Sequence, residues 1–205
     1  MLDAAGYPDA PICASNSLDE YIVRDLLLQG AKVDTFGIGE NLITSKSDPV
    51  FGGVYKLAAV KEGDRYIPKI KVSETVDKIT TPCLKKLWRI YDKGTGQAMA
   101  DYITVHDETP SCENGITLFD PVETWKRRTF TGCELKLLST PIYQNGKLVY
   151  KVPTLADVHA HCEKQLATLW EEVRRFEYPH RHYVDLSQKL WDERQRLLTE
   201  AGASL

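Results

Sequence analysis

Three things are scarce in this 205-residue chain. Charge of one sign is the first: 26 Lys and Arg against 29 Asp and Glu leave a formal net charge of −3, which gives no electrostatic footing for nucleic acid or an anionic membrane. Long apolar runs are the second. No stretch approaches the roughly 18 apolar residues needed to cross a bilayer, and the opening residues carry no signal-peptide pattern. Paired cysteines are the third: the five, at 13, 83, 112, 133 and 162, are odd in number and scattered, with no Cys-x-x-Cys. That spacing predicts reduced, buried thiols in a cytoplasmic setting rather than a disulfide frame or a structural zinc. The remaining composition, 42% hydrophobic and 27% charged, is that of a chain able to pack a core.

What is present is concentrated near the start. Two apolar β-type runs, Pro11-Ile12-Cys13-Ala14 and Ala31-Lys32-Val33-Asp34-Thr35-Phe36, flank an amphipathic helix, and each is followed by a polar turn. Strand, turn, helix, strand, glycine turn is the order of a parallel βα sheet, where ligands sit beyond the carboxyl ends of the strands. The first turn, Ser15-Asn16, offers a hydroxyl and free amides at a helix start, a setting that suits phosphate. Ser17 with Glu20 fits a capping box, so Ser17 is expected to cap the helix, which Gly30 closes. The second turn, Gly37-Ile38-Gly39-Glu40, carries two glycines, which predict positive-φ backbone whose successive amides point at one anion. Met1 to Gly6 reads as a last helical turn capped by Gly6. Two parallel strands make a poor layer by themselves. The simplest account is therefore a piece of a larger barrel, with an open strand edge expected to be covered by another copy or segment.

Farther along, Phe51 to Val60 predicts a strand buried on both faces. Short strands are expected at 69–72, 84–91, 97–105 and 147–152, in a β-rich region of antiparallel character, with Asn145-Gly146 as a hairpin turn. Thr154 and Asp157 predict a capped helix whose Leu155, Val158, Cys162, Leu166, Leu169, Val173 and Phe176 share one face. A second helix is expected from about 186 to 200. Trp170 and Trp191 read as packing residues. His159 and His161 point in different directions on a helix, so joint metal binding is not expected. His180-Arg181-His182 reads as a surface loop, and Trp125-Lys126-Arg127-Arg128 as solvated charge beside a strand edge.

In sequence order, Ile12 to Glu20, Gly37 to Ser45, Gly52-Gly53-Val54-Tyr55-Lys56-Leu57, Phe119 to Arg127 and Tyr183 to Leu190 resemble the closing motifs and bacterial C-terminal region of the nicotinate phosphoribosyltransferases. The resemblance spans the chain, although the family enzymes are much longer. It implies an α/β fold, mixed α+β overall: residues 1–60 as the last two βα units of a type II phosphoribosyltransferase barrel, and 61–205 as a C-terminal domain with short antiparallel strands over 61–152 and helices over 153–205. It implies formation of nicotinate mononucleotide from nicotinate and phosphoribosyl pyrophosphate in NAD salvage, driven by ATP hydrolysis through a phosphorylated histidine, with Mg, in a cytoplasmic homodimer. Ser15, Asn16, Gly37, Ile38, Gly39 and Glu40 would hold the 5′-phosphate. Relatives often have threonine where Glu40 stands; a carboxylate facing a phosphate is repelled, so the Glu40 side chain is expected to turn away. The catalytic histidine and the nicotinate-binding residues are expected outside these 205 residues. No catalytic residue, metal ligand or tightly bound cofactor is assigned here. The other reading is a non-catalytic phosphate-binding or oligomerisation module derived from a barrel enzyme.

Overall fold

The computed structural model describes residues 1–50 and 52–202, and the chain divides by its internal contacts into two units, Met1–Tyr55 and Lys56–Leu205. The sequence reading put that boundary at 60.

The first unit opens with a short 3-10 turn, Asp3–Ala5, closed by Gly6 at φ 89° as its capping glycine. Strand β1 is Cys13–Ser15 and strand β2 is Thr35–Gly37. They pair in parallel, Cys13 opposite Thr35 and Ser15 opposite Gly37, as the βα reading requires, but both lie nearer the turns than their apolar runs suggest. Asp34 explains part of the shift, because its carboxylate accepts the Ile12 N–H at 2.7 Å and closes the strand entrance. Helix α1 is Glu20–Leu28, followed by Gly30 at φ 79°. Its N-cap is Asp19, which accepts from Ile22 N at 2.8 Å, and not Ser17. The reason is conformational: Ser17 sits at φ 52°, whereas an N-cap needs extended backbone. Helix α2, Glu40–Ile43, follows the second turn.

The second unit is β-rich. Strands β3 (Ala59–Glu62) and β4 (Arg65–Pro68) form a hairpin. The expected buried strand from Phe51 is not there. Phe51 itself lies outside the described residues, residues 52–58 are not in a strand, and Val54 and Tyr55 are exposed. An apolar composition without alternation does not specify a ladder partner. Likewise, residues 69–72 lie just past β4 rather than in a strand of their own.

The main sheet has four strands in the order β12-β6-β5-β9: β5 is Lys85–Asp92, β6 Ala98–Val105, β9 Cys133–Leu137 and β12 Val184–Leu186. The β5–β6 and β5–β9 pairs are antiparallel, but β12 runs parallel to β6, which local sequence does not reveal. The β5–β6 turn is set by Asp92, whose Oδ1 accepts from Gly94 N at 2.9 Å and Thr95 N at 2.7 Å. Strands β7 (Ile116–Phe119) and β8 (Arg127–Phe130) pair antiparallel. Their Ile116, Leu118 and Phe130 pack on Ile90, Ala100 and Cys133 to form the main core. A second cluster joins Cys83, Val105, Leu186 and Leu190.

The Asn145-Gly146 turn joins β10 (Tyr143–Gln144) to β11 (Lys147–Leu148) with φ of 50° and 73° at its centre, the primed geometry that this dipeptide favours. Helix α3, Leu155–Ala167, has the expected Thr154–Asp157 capping box. Its apolar stripe is not packed within the unit: no described residue of α3 is buried, and Leu155, Val158 and Leu166 are exposed. A four-residue α4 (Glu171–Arg174) precedes β12, and α5 is Gln188–Glu200, capped by Ser187. Trp170 and Trp191 donate their indole N–H groups to Ala98 O and Pro121 O, as packing residues do.

Cysteine is the clearest departure from expectation. Cys112 and Cys133 form a disulfide with Cα atoms 5.6 Å apart, and Cys13 and Cys162 are exposed; only Cys83 is a free buried thiol. Sequence spacing could not show this pairing. The β7–β8 hairpin folds the loop holding Cys112 back onto the start of β9, within bridging distance.

Candidate functional site

The two turns named from the sequence lie side by side. Ser15 and Gly37 are register partners at the last rung of the parallel pair, so Asn16 leaves one strand where Ile38 leaves its neighbour. The approach is close. A Cβ built on Gly37 would stand 3.1 Å from Ser15 Cβ and 3.9 Å from Ala14 O, tighter than ordinary carbon contact. Gly37 is thus fixed by packing between the strands.

The left-handed backbone is in the first turn, not the second. Asn16 and Ser17 have φ of 87° and 52°, whereas Gly39 has φ −107° and neither Gly37 nor Gly39 lies in the left-handed region. Asparagine tolerates that region better than most residues. Gly39 has a different use: a Cβ there would meet no atom within 4 Å, so its surface is open.

The backbone donors of both turns are uncommitted. Among the described residues, the N–H groups of Asn16, Ser17, Ile38, Gly39, Glu40 and Asn41 make no hydrogen bond within the protein. Three of them flank or open α2, where first-turn amides lack helical partners. Asn41 was not singled out as a site residue by sequence reasoning, yet it ties the turns together: its Nδ2 donates to Leu18 O at 2.9 Å. Its Oδ1 is buried and without a hydrogen-bond partner among the described residues. Its place directly after the glycine turn was the available signal. Ser47 Oγ donates to Glu20 Oε1 at 2.9 Å, a second link from the segment after α2 back to α1. Glu40 opens α2 and is exposed. The arrangement therefore presents amide dipoles and the hydroxyls of Ser15 and Ser17, with Lys46 lining the hollow beside Asn41 together with Asp19 and Glu20, and the amides are chemistry for holding an anion.

The second unit holds the perturbed acids. Asp101 is buried between Arg89, whose Nε and Nη2 donate at 2.7 and 2.9 Å, and His182 at 3.3 Å. Burial alone pushes this carboxyl up, but the Arg89 hydrogen bonds and the neighbouring His182 outweigh it and hold it at about 2. This is an architectural lock between β5 and β6. Asp185 goes the other way. Burial, and then the nearby Asp120 carboxylate, push it up to about 6. A carboxyl with a raised folded pKa gives stability below its unfolded value near 4 that is lost as pH rises through 6. Asp185→Asn should therefore raise the unfolding free energy measured in urea at pH 7.5, by about 1–3 kcal/mol, and change it little at pH 4. Equal effects at both pH values would contradict this. Among the described residues no three His, Cys, Asp or Glu side chains group to hold a metal ion, and no helix is long and apolar enough to cross a membrane.

Fold and site together define an α/β chain that presents two adjacent βα turns with free amides, followed by a β-rich unit. Comparison with known proteins gives the family. Residues 84–194 match the model of the nicotinate phosphoribosyltransferase C-terminal domain. The chain is 36% identical over its whole length to nicotinate phosphoribosyltransferase of Bacillus subtilis, covering 42% of that protein. It is 32% identical over 182 residues to the Caenorhabditis elegans protein of the same name, covering 88% of this chain and 32% of the relative. The crystal structure of human nicotinic acid phosphoribosyltransferase superposes with a TM-score of 0.70 at 25% identity, over 98% of this chain and 36% of the human one. The chain belongs to the nicotinate phosphoribosyltransferase family, a family of transferases, and spans less than half the length of these relatives.

Proposed function

We propose that this chain supplies the phosphate-holding end of an enzyme that forms nicotinate mononucleotide from nicotinate and phosphoribosyl pyrophosphate, in NAD salvage. The observation that carries the reading is the pairing of Ser15 with Gly37, which aligns two runs of unpartnered amides. The 5′-phosphate of the ribose lies against the amides of Asn16 and of Ile38 to Asn41, with the Ser15 hydroxyl as a further donor. Glu40 contributes its N–H, and its carboxylate turns to solvent. Fixing the phosphate fixes one end of the substrate and lowers the entropy cost of aligning ribose C1, the pyridine nitrogen and the leaving pyrophosphate.

The names of the relatives support nicotinate as the acceptor. ATP hydrolysis with Mg as the driving reaction, a homodimer and a cytoplasmic setting complete the reading. These residues provide no cage for a metal, so magnesium would come with the substrate phosphates, and no step is routed through it. The amides and the Ser15 hydroxyl bind and orient; the bond-breaking step needs groups that this arrangement does not contain.

The test is an assay of the purified 205-residue chain with nicotinate, phosphoribosyl pyrophosphate, ATP and Mg, beside the full-length Bacillus relative. The expected result is binding of phosphoribosyl pyrophosphate by the chain without nicotinate mononucleotide, and product from the relative. Product from the chain itself would show a complete active site and overturn this division of roles.

A further inference from the structure

The second unit holds a cleft of about 690 Å³, within the usual size range of small-molecule sites. Part of its lining is apolar and fixed. Trp170 is anchored by its indole bond to Ala98 O at 3.0 Å, with Met99 and Val173 also on the wall. The rest is polar: the guanidiniums of Arg128 and Arg181 and the imidazoles of His180 and His182 line it, against one carboxylate, Glu172.

The arginines are positioned but unspent. The Arg128 guanidinium lies over the Phe130 ring, 4.9 Å from its centroid, and Phe130 is itself buried in the core. Stacking holds the group in place and leaves its N–H edge free. Among the described residues, neither Arg128 nor Arg181 enters an ion pair or a side-chain hydrogen bond. Arg181 is near enough to Asp120 to help lower its pKa without touching it. A smaller cavity of about 400 Å³ shares Arg128 and Tyr183, and there Asp120 and Asp185 stand among Lys126 and Arg127.

A fixed indole beside two uncompensated guanidiniums matches a flat ring that carries phosphate groups, since guanidinium pairs with phosphate oxygens in a planar fork. We propose that this cleft binds a nucleoside diphosphate, its base against Trp170 and its phosphates between Arg128 and Arg181. The inference does not rest on the phosphate turns of the first unit.

The test is calorimetric titration of the 205-residue chain with ADP, adenosine and inorganic phosphate. ADP should bind at least about tenfold more tightly than either part. The exposed pair Arg128→Gln with Arg181→Gln should lose at least about tenfold in ADP affinity, with circular dichroism and thermal midpoint unchanged. Gly39→Ala, in the first unit, should leave ADP binding as in the wild type. ADP affinity that survives the double substitution overturns the inference. So does affinity lost in Gly39→Ala alone, which would seat ADP on the turns and leave the proposed function standing. If the double variant does not fold, photolabelling of the wild type with 8-azido-ADP decides. Label on residues 126–130 or 170–183 supports the cleft, and label elsewhere removes it.

Discussion

Gly39→Ala is expected to weaken phosphoribosyl pyrophosphate binding at least tenfold, about 1.4 kcal/mol, while leaving the unfolding midpoint unchanged. The added methyl meets no protein atom within 4 Å, so the fold has nothing to accommodate. It projects instead from the turn whose amides the phosphate must approach, and a backbone donor held off by a methyl group loses its hydrogen bond. Gly37→Val should behave differently. Its Cβ would press on Ser15 Cβ at 3.1 Å, so this substitution should lower stability as well as affinity, because the two strands must separate. Binding by calorimetry and melting by circular dichroism, measured on both variants, separate the two effects. Unchanged affinity in Gly39→Ala would remove the glycine turn from the site.

The second large effect is expected at the disulfide. Cys133→Ser should destabilise the second unit by about 3 kcal/mol, since the bond closes a loop of 21 residues in the unfolded chain. Reductant should bring the wild type to the stability of the variant and leave the variant where it is. Urea unfolding followed by tryptophan fluorescence reads this, and thiol titration of the denatured wild type without reductant should count three thiols, those of Cys13, Cys83 and Cys162. Five thiols, with no effect of reductant, would contradict it.

What could be read from the sequence was local chemistry. Thr154 with Asp157 announces α3 because both partners of the capping box lie within one helical turn. Asn145-Gly146 announces its hairpin because the turn alone demands two positive φ angles. The β1–β2 pair and the adjacency of Ser15 and Gly37 were legible because a βα repeat has one dominant arrangement. What stayed hidden was non-local or conformational. The parallel pairing of Val184–Leu186 with Asp101–Ile103 joins residues more than eighty positions apart through a three-residue strand, too short to carry a pattern. The Cys112–Cys133 bond depends on a hairpin that brings distant residues together. At α1 the capping box was misplaced because left-handed backbone at Asn16 and Ser17 delays helix entry by a few residues, to Asp19. The same geometry moves the positive-φ turn from the glycines to Asn16. A glycine in such a βα turn can thus be needed for room, as Gly37 is beside Ser15, rather than for its dihedral angles.

The central claim is that two adjacent runs of backbone amides hold the phosphate of phosphoribosyl pyrophosphate. The most direct measurement is amide-resolved NMR of the 15N-labelled chain during titration with that compound. The account predicts saturable shifts concentrated at Asn16, Ser17 and Ile38 to Asn41, and their loss in Gly39→Ala. If these amides stay still at saturating ligand while resonances elsewhere move, the phosphate is held elsewhere and the claim is wrong.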